Sequence, residues 1–210
     1  MAYHFLNDKT IDWFNEITAE QALKPYLDFL ASRLPDTYEH SLRVSQLSLD
    51  LALEQGLDED IICRLGVAAL LHDIGKTEIP PQILNKQGPL AQEEYRIVKN
   101  HTRFSVIGIQ DLHDPLVQWI IAAHHEFGAT PYPRNGSDRR NLKHVKFDRR
   151  KQKPGIRFAS QILAIADMLD SLAQSRAYKP AFPKAEIERL LHQDFKGDPG
   201  LITRALKRIT

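Results

Sequence analysis

The stretch VAALLHDIGK, residues Val67–Lys76, places a histidine and an aspartate directly after five apolar residues. An apolar run of this kind predicts a buried helix, so we expect His72 and Asp73 to enter from the interior of the protein. Burying a carboxylate costs several kcal/mol unless a positive group compensates it, and a bound metal ion is a natural compensation. Neighbouring residues diverge by about 100° on an α-helix. The two side chains could therefore grip one ion, or two nearby ions, from different directions.

Further histidines and aspartates are spaced along the chain on both sides of this stretch. Neutral imidazole and carboxylate are the usual ligands of catalytic first-row metals, so the series predicts a metal site. Asp36 and His40 stand four residues apart and would share one helix face. Asp36 could equally be the N-cap residue of that helix. The candidate ligands are His40, His72, His101, His124 and His125, together with Asp36, Asp73 and Asp167.

The spacing of apolar residues is helical along most of the chain, and sustained strand alternation is absent. It predicts a helical stretch over Ile11–Leu34, with Pro25 as a break or first-turn residue, and a helix that opens at Pro35 and is ended by Gly56. We expect Gly75 to supply a left-handed residue after the buried helix. The fold class is therefore all-α, a single-domain helical bundle. The remaining helices are predicted over Ile61–His72, Gln92–Leu112, Pro115–His125, Ile156–Ala177, Lys184–Phe195 and Asp198–Arg208.

The bulk composition narrows the class of protein. The chain has 210 residues and a formal net charge of +1, so nucleic acid is an unlikely partner for the molecule as a whole. Its single cysteine, Cys63, excludes a disulfide within the chain and a thiolate zinc site. The N-terminal residues lack the pattern of a signal peptide. The longest apolar run, Val67–Leu71, is too short to span a bilayer. We expect a cytoplasmic protein without membrane partners.

These motifs resemble the HD superfamily of metal-dependent phosphohydrolases, and most closely its HD-GYP branch. The HDIGK stretch is the HD motif itself, and the similarity continues through Ile83–Leu90, His124–Glu126 and Asp167–Leu172. It extends over roughly residues 36–182. The resemblance implies a helical bundle of the HD-domain type, with a catalytic core over 35–183. Residues 1–34 would be an N-terminal helical segment packed on that core, and 184–210 would form C-terminal helices.

The resemblance also implies a site for two divalent metal ions. Asp73 would bridge the two ions. Some family members hold a third ion, and Asp36 occupies the position of one of its ligands, although its side chain is shorter. Fe or Mn is expected, and Zn or Ni remains an alternative. The first ion would be held by His40, His72, Asp73 and Asp167, and the second by Asp73, His101, His124 and His125.

The chemistry that the resemblance implies is hydrolysis of a phosphoester. Two metal ions about 3.5–4 Å apart can lower the pKa of a bridging water, and the resulting hydroxide attacks phosphorus in line. Asp73 and Lys76 would be the catalytic residues, with the Lys76 ammonium on the substrate phosphate. We expect a phosphodiesterase for cyclic di-GMP or a related cyclic dinucleotide. Two alternatives stay open: a phosphohydrolase for another nucleotide or phosphate ester, and a non-catalytic nucleotide-binding module with signalling partners.

One departure from the HD-GYP pattern concerns the substrate. After His124–Glu126 the Tyr132-Pro133 pair is retained, but Pro131 replaces a glycine and the usual Asp-Gly pair is missing. The GYP motif is therefore degenerate, and the loop path must differ because proline fixes φ.

Other residues are expected to contact the substrate. Arg176 and Lys179 resemble a family element that binds substrate phosphates, and arginine is suited to two-point phosphate binding. Alternatively, the two residues are cations at the C-terminus of a helix, where they interact favourably with the helix dipole. Tyr132 and Lys76 complete the predicted contacts. The basic loop 134–157 could steer a polyanion toward the cleft or be solvated surface.

Overall fold

The computed structural model describes residues 3–129, 154–175 and 181–209. Regular structure in these ranges is helical, with an isolated β-bridge between Tyr3 and Ile209, and this confirms the all-α prediction. None of the helices in the described ranges is long and apolar enough to cross a lipid bilayer. The α-helices are α1 Thr10–Thr18, α2 Lys24–Arg33, α3 Pro35–Glu54, α4 Glu59–Leu71, α5 Pro81–Leu84, α6 Gln92–Lys99, α7 His101–Gly108, α8 Pro115–Ala123, α9 Pro154–Ala173, α10 Lys184–Asp194 and α11 Gly200–Leu206, and 3-10 turns occupy Ile74–Glu78, Gln110–Leu112 and His124–Phe127.

The centre of the bundle is built from α3, α4, α8 and α9. Helix α4 packs against α3, α8 and α9, and all residues of its last turns, Val67–Leu71, are buried. Gly66 allows this close packing: a Cβ there would lie 2.5 Å from Ile17 Cδ1 and 3.1 Å from Leu49 Cδ2. The buried helix predicted from the apolar run is confirmed. Its C-terminal end delivers the histidine and aspartate that follow it to the interior.

Two predicted helix signals have the expected local geometry. Gly56 has a φ of 63° and follows α3, while the N–H groups of Gly56 and Leu57 donate to the carbonyl oxygens of Leu53 and Ala52. These two bonds form a Schellman motif, which is a common helix end at glycine. Pro25 lies in the first turn of α2, so the apolar stretch that begins at Ile11 divides into α1 and α2.

The prediction of one helix over Gln92–Leu112 is wrong, because Asn100 separates α6 from α7. The Asn100 side chain donates to the carbonyl oxygen of Arg96 at 3.1 Å, while its backbone N–H donates to Ile97 at 3.0 Å. Asparagine competes in this way for the carbonyl that would continue an α-helix. His101 consequently becomes the first residue of α7 and is buried.

The prediction of a left-handed Gly75 is also wrong. Gly75 lies inside the 3-10 turn Ile74–Glu78 and is not among the described glycines with positive φ. Glycine is required there by space, since a Cβ would lie 2.3 Å from both the carbonyl oxygen of His101 and the amide nitrogen of Ser105. Ser105 Oγ also accepts from the Gly75 N–H at 2.9 Å and donates to the His72 carbonyl at 2.6 Å. Helix α7 is thereby held against the end of α4.

The two ends of the described chain meet beside α3 at a buried ion pair, here called the Asp50–Arg208 pair. Arg208 Nε donates to Asp50 Oδ2 at 2.7 Å, and both side chains are fully buried. Asp50 Oδ1 accepts from the N–H groups of Leu6 and Asn7, at 3.0 and 2.8 Å, and from the Thr10 hydroxyl at 2.8 Å. The pair joins the N-terminal segment, α3 and the residues that follow α11.

Candidate metal centre

Seven of the eight predicted ligands are brought together, here called the histidine–aspartate cluster. They come from α3, the end of α4, the start of α7, the end of α8 and α9. In three overlapping groups of three residues, each offers a ligand atom within 4.8 Å of the others, and these groups could hold metal ions. The groups are His40, His72 and Asp167; His72, Asp73 and His124; and His101, His124 and His125.

Three imidazoles are oriented by backbone carbonyl groups. In His72, His101 and His124, Nδ1 lies 2.8, 2.8 and 2.5 Å from the carbonyl oxygen three residues earlier. A carbonyl can only accept, so Nδ1 carries a proton, and in the neutral imidazole Nε2 keeps a lone pair. The Nε2 atoms of His72 and His124 are buried and have no hydrogen-bond partner. Unpaired buried acceptors are rare and costly, and metal-bound histidines typically show this outer hydrogen bond. The donor set therefore fits a metal ion.

The imidazole of His125 closes this side of the cluster. Its Nε2 lies 3.2 Å from Nε2 of His101, and His125 must donate because His101 carries its own proton on Nδ1. Burial lowers the pKa of His101 to about 4, and burial also lowers the pKa values of His124 and His125. These three imidazoles are therefore neutral near pH 7, which is the form that binds metals.

His40 has a different environment from the other imidazoles. Its Nδ1 lies 2.6 Å from Asp170 Oδ2, and its Nε2 lies 3.1 Å from Asp167 Oδ1. Burial lowers the pKa of His40, but the hydrogen bonds to Asp167 and Asp170 outweigh it and raise the pKa to about 9. Without a metal ion, His40 is an imidazolium that donates from both nitrogens.

Asp73 lies at the centre of the cluster with its two oxygens facing different groups. Oδ2 lies 3.3 Å from His72 Nε2 and 3.8 Å from His40 Nε2, whereas Oδ1 lies 3.3 Å from His101 Nε2. Lys76 Nζ donates to Oδ2 at 2.5 Å. Burial raises the pKa of Asp73, but the charge of Lys76, with smaller contributions from the neighbouring histidines, outweighs it and holds the pKa well below its usual range. Asp73 is thus an ionised carboxylate placed between the two outer groups.

Sequence reasoning missed the residues that support His40. Arg43 donates to both oxygens of Asp170, from Nε at 2.8 Å and from Nη2 at 3.1 Å, and the Tyr3 hydroxyl donates to Oδ1 at 2.7 Å. Burial, followed by the charge of Asp170, raises the pKa of Tyr3, so this hydroxyl keeps its proton. Arg43 and Asp170 each stand three residues after a predicted ligand on the same helix, and that spacing was an available signal. No local signal marks Tyr3.

Asp36 is the predicted ligand that the described structure leaves outside this cluster. Asp36 is exposed in the first turn of α3, where the N-cap position belongs to Leu34, so the capping interpretation is wrong. None of the three ligand groups found among the described residues includes Asp36. Tyr132, Arg176 and Lys179 lie outside the described residues, as does most of the basic loop 134–157. Residues 154–157 of that loop belong to α9.

The chain is similar in sequence to several known proteins. The family model described as "HD domain" matches residues 37–172. A cyclic di-GMP phosphodiesterase of Thermotoga maritima is 33% identical over 189 residues, which cover 83% of this chain and 47% of the relative. The 3'3'-cGAMP-specific phosphodiesterase 1 of Vibrio cholerae is 29% identical over 160 residues, covering 75% of this chain and 34% of the relative. The chain thus spans about half or less of the length of these relatives.

Solved structures show a similar fold. The HD domain of the L. monocytogenes phosphodiesterase PgpH, solved in complex with cyclic di-AMP, superposes with a TM-score of 0.55 at 22% identity. The match covers 86% of this chain and 82% of that domain. At this identity the likeness establishes a shared helical architecture. It supports the prediction of an HD-type bundle.

Proposed function

We propose that this chain, which belongs to the HD-domain family, is a metal-dependent phosphodiesterase that hydrolyses a cyclic dinucleotide. The observation that carries the proposal is the buried cluster, in which the Nε2 atoms of His72 and His124 lack a hydrogen-bond partner. Cyclic di-GMP is the first candidate substrate, because the T. maritima relative is named for it. The names of the other relatives and of the structural neighbour support the wider class of cyclic dinucleotides.

The ligand groups suggest how two ions would be held. Asp73 would bridge them, since its two oxygens face different histidines. The donors are nitrogen and oxygen, which suits Fe or Mn and leaves Zn or Ni as alternatives. When bound, such ions supply a water of lowered pKa and neutralise charge on the phosphoryl oxygens. One ion would be held by His40, His72, Asp73 and Asp167, and the other by Asp73, His101, His124 and His125.

Lys76 is suited to bind the substrate phosphate beside these ions. Its side chain is 23% exposed, whereas that of its partner Asp73 is 2% exposed, so Lys76 lies between the buried carboxylate and solvent. Cations bound to Asp73 would compete with the ammonium for the same oxygen. Lys76 could then turn to an incoming phosphate while it remains at the cluster. Substrate contacts from Tyr132, Arg176 and Lys179 stay predictions.

The experiment compares the parent with Asp73→Asn and with the control Asp12→Asn, which changes an exposed aspartate on α1. Each protein is analysed for bound metals and assayed with cyclic di-GMP, 3'3'-cGAMP, cyclic di-AMP and a generic bis-phosphoester. We expect Asp73→Asn to abolish hydrolysis of a cyclic dinucleotide, and Asp12→Asn to leave it unchanged. Turnover of other phosphoesters alone would contradict the substrate class. Binding without turnover under any metal would contradict the enzymatic proposal.

Several further expectations stay predictions. The division into segments 1–34, 35–183 and 184–210 follows from the family resemblance, and so does the third metal ion at Asp36. The cytoplasmic location and the signalling protein partners also stay predictions. Each can be tested independently of the hydrolysis assay.

A further inference from the structure

We infer that Tyr3 is a positioning residue for the metal centre. Its hydroxyl, together with the Arg43 guanidinium, holds Asp170 in the orientation that fixes the imidazole of His40. The inference rests on the proposed function, because it concerns the same centre. It adds to that centre a side chain from outside residues 37–172, the range that matches the family model.

Asp170 is held by four hydrogen bonds, two to each carboxylate oxygen. Oδ1 accepts from the Tyr3 hydroxyl at 2.7 Å and from Arg43 Nε at 2.8 Å. Oδ2 accepts from Arg43 Nη2 at 3.1 Å and from His40 Nδ1 at 2.6 Å. A carboxylate offers about four lone-pair sites, so its capacity is filled. Rotation of the carboxylate would break several charge-assisted bonds at once, and the orientation of His40 is fixed with it.

His40 needs such support because no backbone carbonyl orients it. The other three imidazoles with a fixed tautomer donate to carbonyl groups of their own chain segment, which cannot rotate. His40 instead depends on a side chain that is 130 residues away in the sequence, on α9. A side-chain carboxylate has free torsions, so the precision of His40 depends on what clamps Asp170.

Tyr3 can act as a clamp because its own backbone is anchored. Tyr3 forms a β-bridge with Ile209, and the N–H of His4 donates to the carbonyl oxygen of Arg208 at 2.9 Å. Arg208 is in turn held by Asp50 on α3. The hydroxyl therefore comes from a residue whose backbone is tied to the Ile209 end of the described chain, which Asp50 holds through Arg208.

The test begins with metal affinity, measured by competition between the protein and a chelator for Mn²⁺. Removing a direct outer partner of a metal-binding histidine typically costs about 10- to 100-fold in affinity, and we expect that range for Asp170→Asn. Tyr3→Phe removes only the hydroxyl, one step further out, so we expect a smaller loss of roughly three- to tenfold. Arg43→Lys, which keeps the charge but loses the two-point contact, should also weaken binding. Tyr26→Phe on α2 is the matched control and should stay within about twofold of the parent.

A second readout needs no metal ion. In metal-free protein the His40 Nδ1 proton, held at 2.6 Å from Asp170, should give a strongly downfield proton resonance, assigned by its loss in His40→Gln. Tyr3→Phe should shift or broaden this resonance, and Tyr26→Phe should leave it in place. Asp170→Asn should abolish it.

The outcomes separate this inference from the proposed function. A parent protein that binds no Mn²⁺ and hydrolyses nothing would contradict the proposed function, but the resonance would still decide the role of Tyr3. An unchanged resonance in Tyr3→Phe, or unchanged affinity in a parent that does bind Mn²⁺, would overturn the inference. Tyr3→Phe that lowers only the melting temperature would equally overturn it, since that result describes a structural contact.

Discussion

Asp50 and Asp73 are both buried aspartates, with 0% and 1% of their surface exposed, but their neighbours differ in kind. Asp50 is paired with the Arg208 guanidinium, and its second oxygen accepts from two backbone N–H groups and a hydroxyl. Asp73 faces the nitrogen atoms of histidines at 3.3 Å or more, and Lys76 is its cationic partner. One carboxylate is surrounded by donors, and the other largely by atoms that could themselves be metal ligands.

A structural buried charge and a prepared metal ligand therefore differ in how their partners satisfy them. A buried carboxylate is costly unless it is paired and hydrogen-bonded, and the Asp50–Arg208 pair meets that condition, because Arg208 Nη2 also lies 2.7 Å from carboxylate oxygens of Asp50 and Glu54. The histidine–aspartate cluster does not, because buried Nε2 atoms of His72 and His124 remain unpaired. An additional cation would satisfy both those lone pairs and the carboxylate.

The largest contrast should appear in catalysis. Asp73→Asn keeps the shape of the side chain but removes the bridging charge, so we expect hydrolysis to fall by about 10⁴-fold, as when a catalytic unit loses a member. Thermal unfolding followed by circular dichroism should remain cooperative. Steady-state assays of Asp50→Asn, corrected for the folded fraction, should show a far smaller loss, at most roughly three- to tenfold, because Asp50 reaches the centre only through the segment that carries Tyr3. If Asp73→Asn retained a tenth of the activity, Asp73 would not differ from Asp50 in the way proposed.

The second prediction reverses the roles of the two aspartates. Asp50→Asn leaves the buried Arg208 without its main counter-ion, and breaking such a pair typically costs about 3–5 kcal/mol in the free energy of unfolding. Glu54, whose Oε2 lies 2.7 Å from Arg208 Nη2, should keep the loss near the lower end. Urea denaturation of metal-free protein measures it. In the double variant Asp50→Asn, Arg208→Met, part of the stability should return, since the unpaired charge is gone. A loss too small to resolve for Asp50→Asn would contradict the structural role.

The third prediction uses metal binding to distinguish the histidine–aspartate cluster from the Asp50–Arg208 pair. An ion that binds only the folded state adds about 2.7 kcal/mol to stability at a hundred times its dissociation constant. We expect Mn²⁺ to raise the melting temperature of both the parent and Asp50→Asn, with a gain in Asp50→Asn that is lower only by the effect of a loosened Tyr3 clamp. Asp73→Asn should gain much less. Equal gains in all three proteins would mean that the ion binds elsewhere.

Much of the site could be predicted from the sequence because its ligands follow local rules. Val67–Leu71 is apolar at every position, so the helix had to be buried, and His72 and Asp73 follow it directly. Asp36 shows the limit of the same reasoning. Its spacing from His40 is correct for one helix face, but spacing does not tell that the first turn of α3 projects to the surface.

The rest depended on tertiary contacts that no spacing encodes. Tyr3 meets Asp170 across 167 positions in the chain, and only the folded backbone brings the two side chains together. Gly75 was interpreted as a helix end, but its role depends on how closely His101 and Ser105 approach it in space. Asn100 ends α6 through a side-chain hydrogen bond that competes weakly with the helix, and this choice is not visible in apolar periodicity.

The smallest expected effect is a dependence of the free energy of unfolding on pH, caused by His40 in the histidine–aspartate cluster. Its pKa is raised from 6.5 to about 9 in the folded, metal-free protein, after the hydrogen bonds to Asp167 and Asp170 outweigh burial. A base with a raised folded pKa contributes its full stability below pH 6.5 and loses it as pH rises toward 9. We therefore expect the free energy of unfolding of chelator-treated protein to fall by about 1–3 kcal/mol across that window.

Metal affinity should change in the opposite direction over the same window, because His40 must release a proton before its Nε2 can bind an ion. Urea denaturation at several pH values, paired with Mn²⁺ titrations, measures both trends. His40→Gln should flatten the stability trend, whereas Asp50→Asn should be less stable throughout but keep the same slope. If stability changes with pH equally in the parent and in His40→Gln, His40 is not the charged donor that its two aspartate partners indicate. The contrast between the histidine–aspartate cluster and the Asp50–Arg208 pair would then rest on the unpaired Nε2 atoms of His72 and His124 alone.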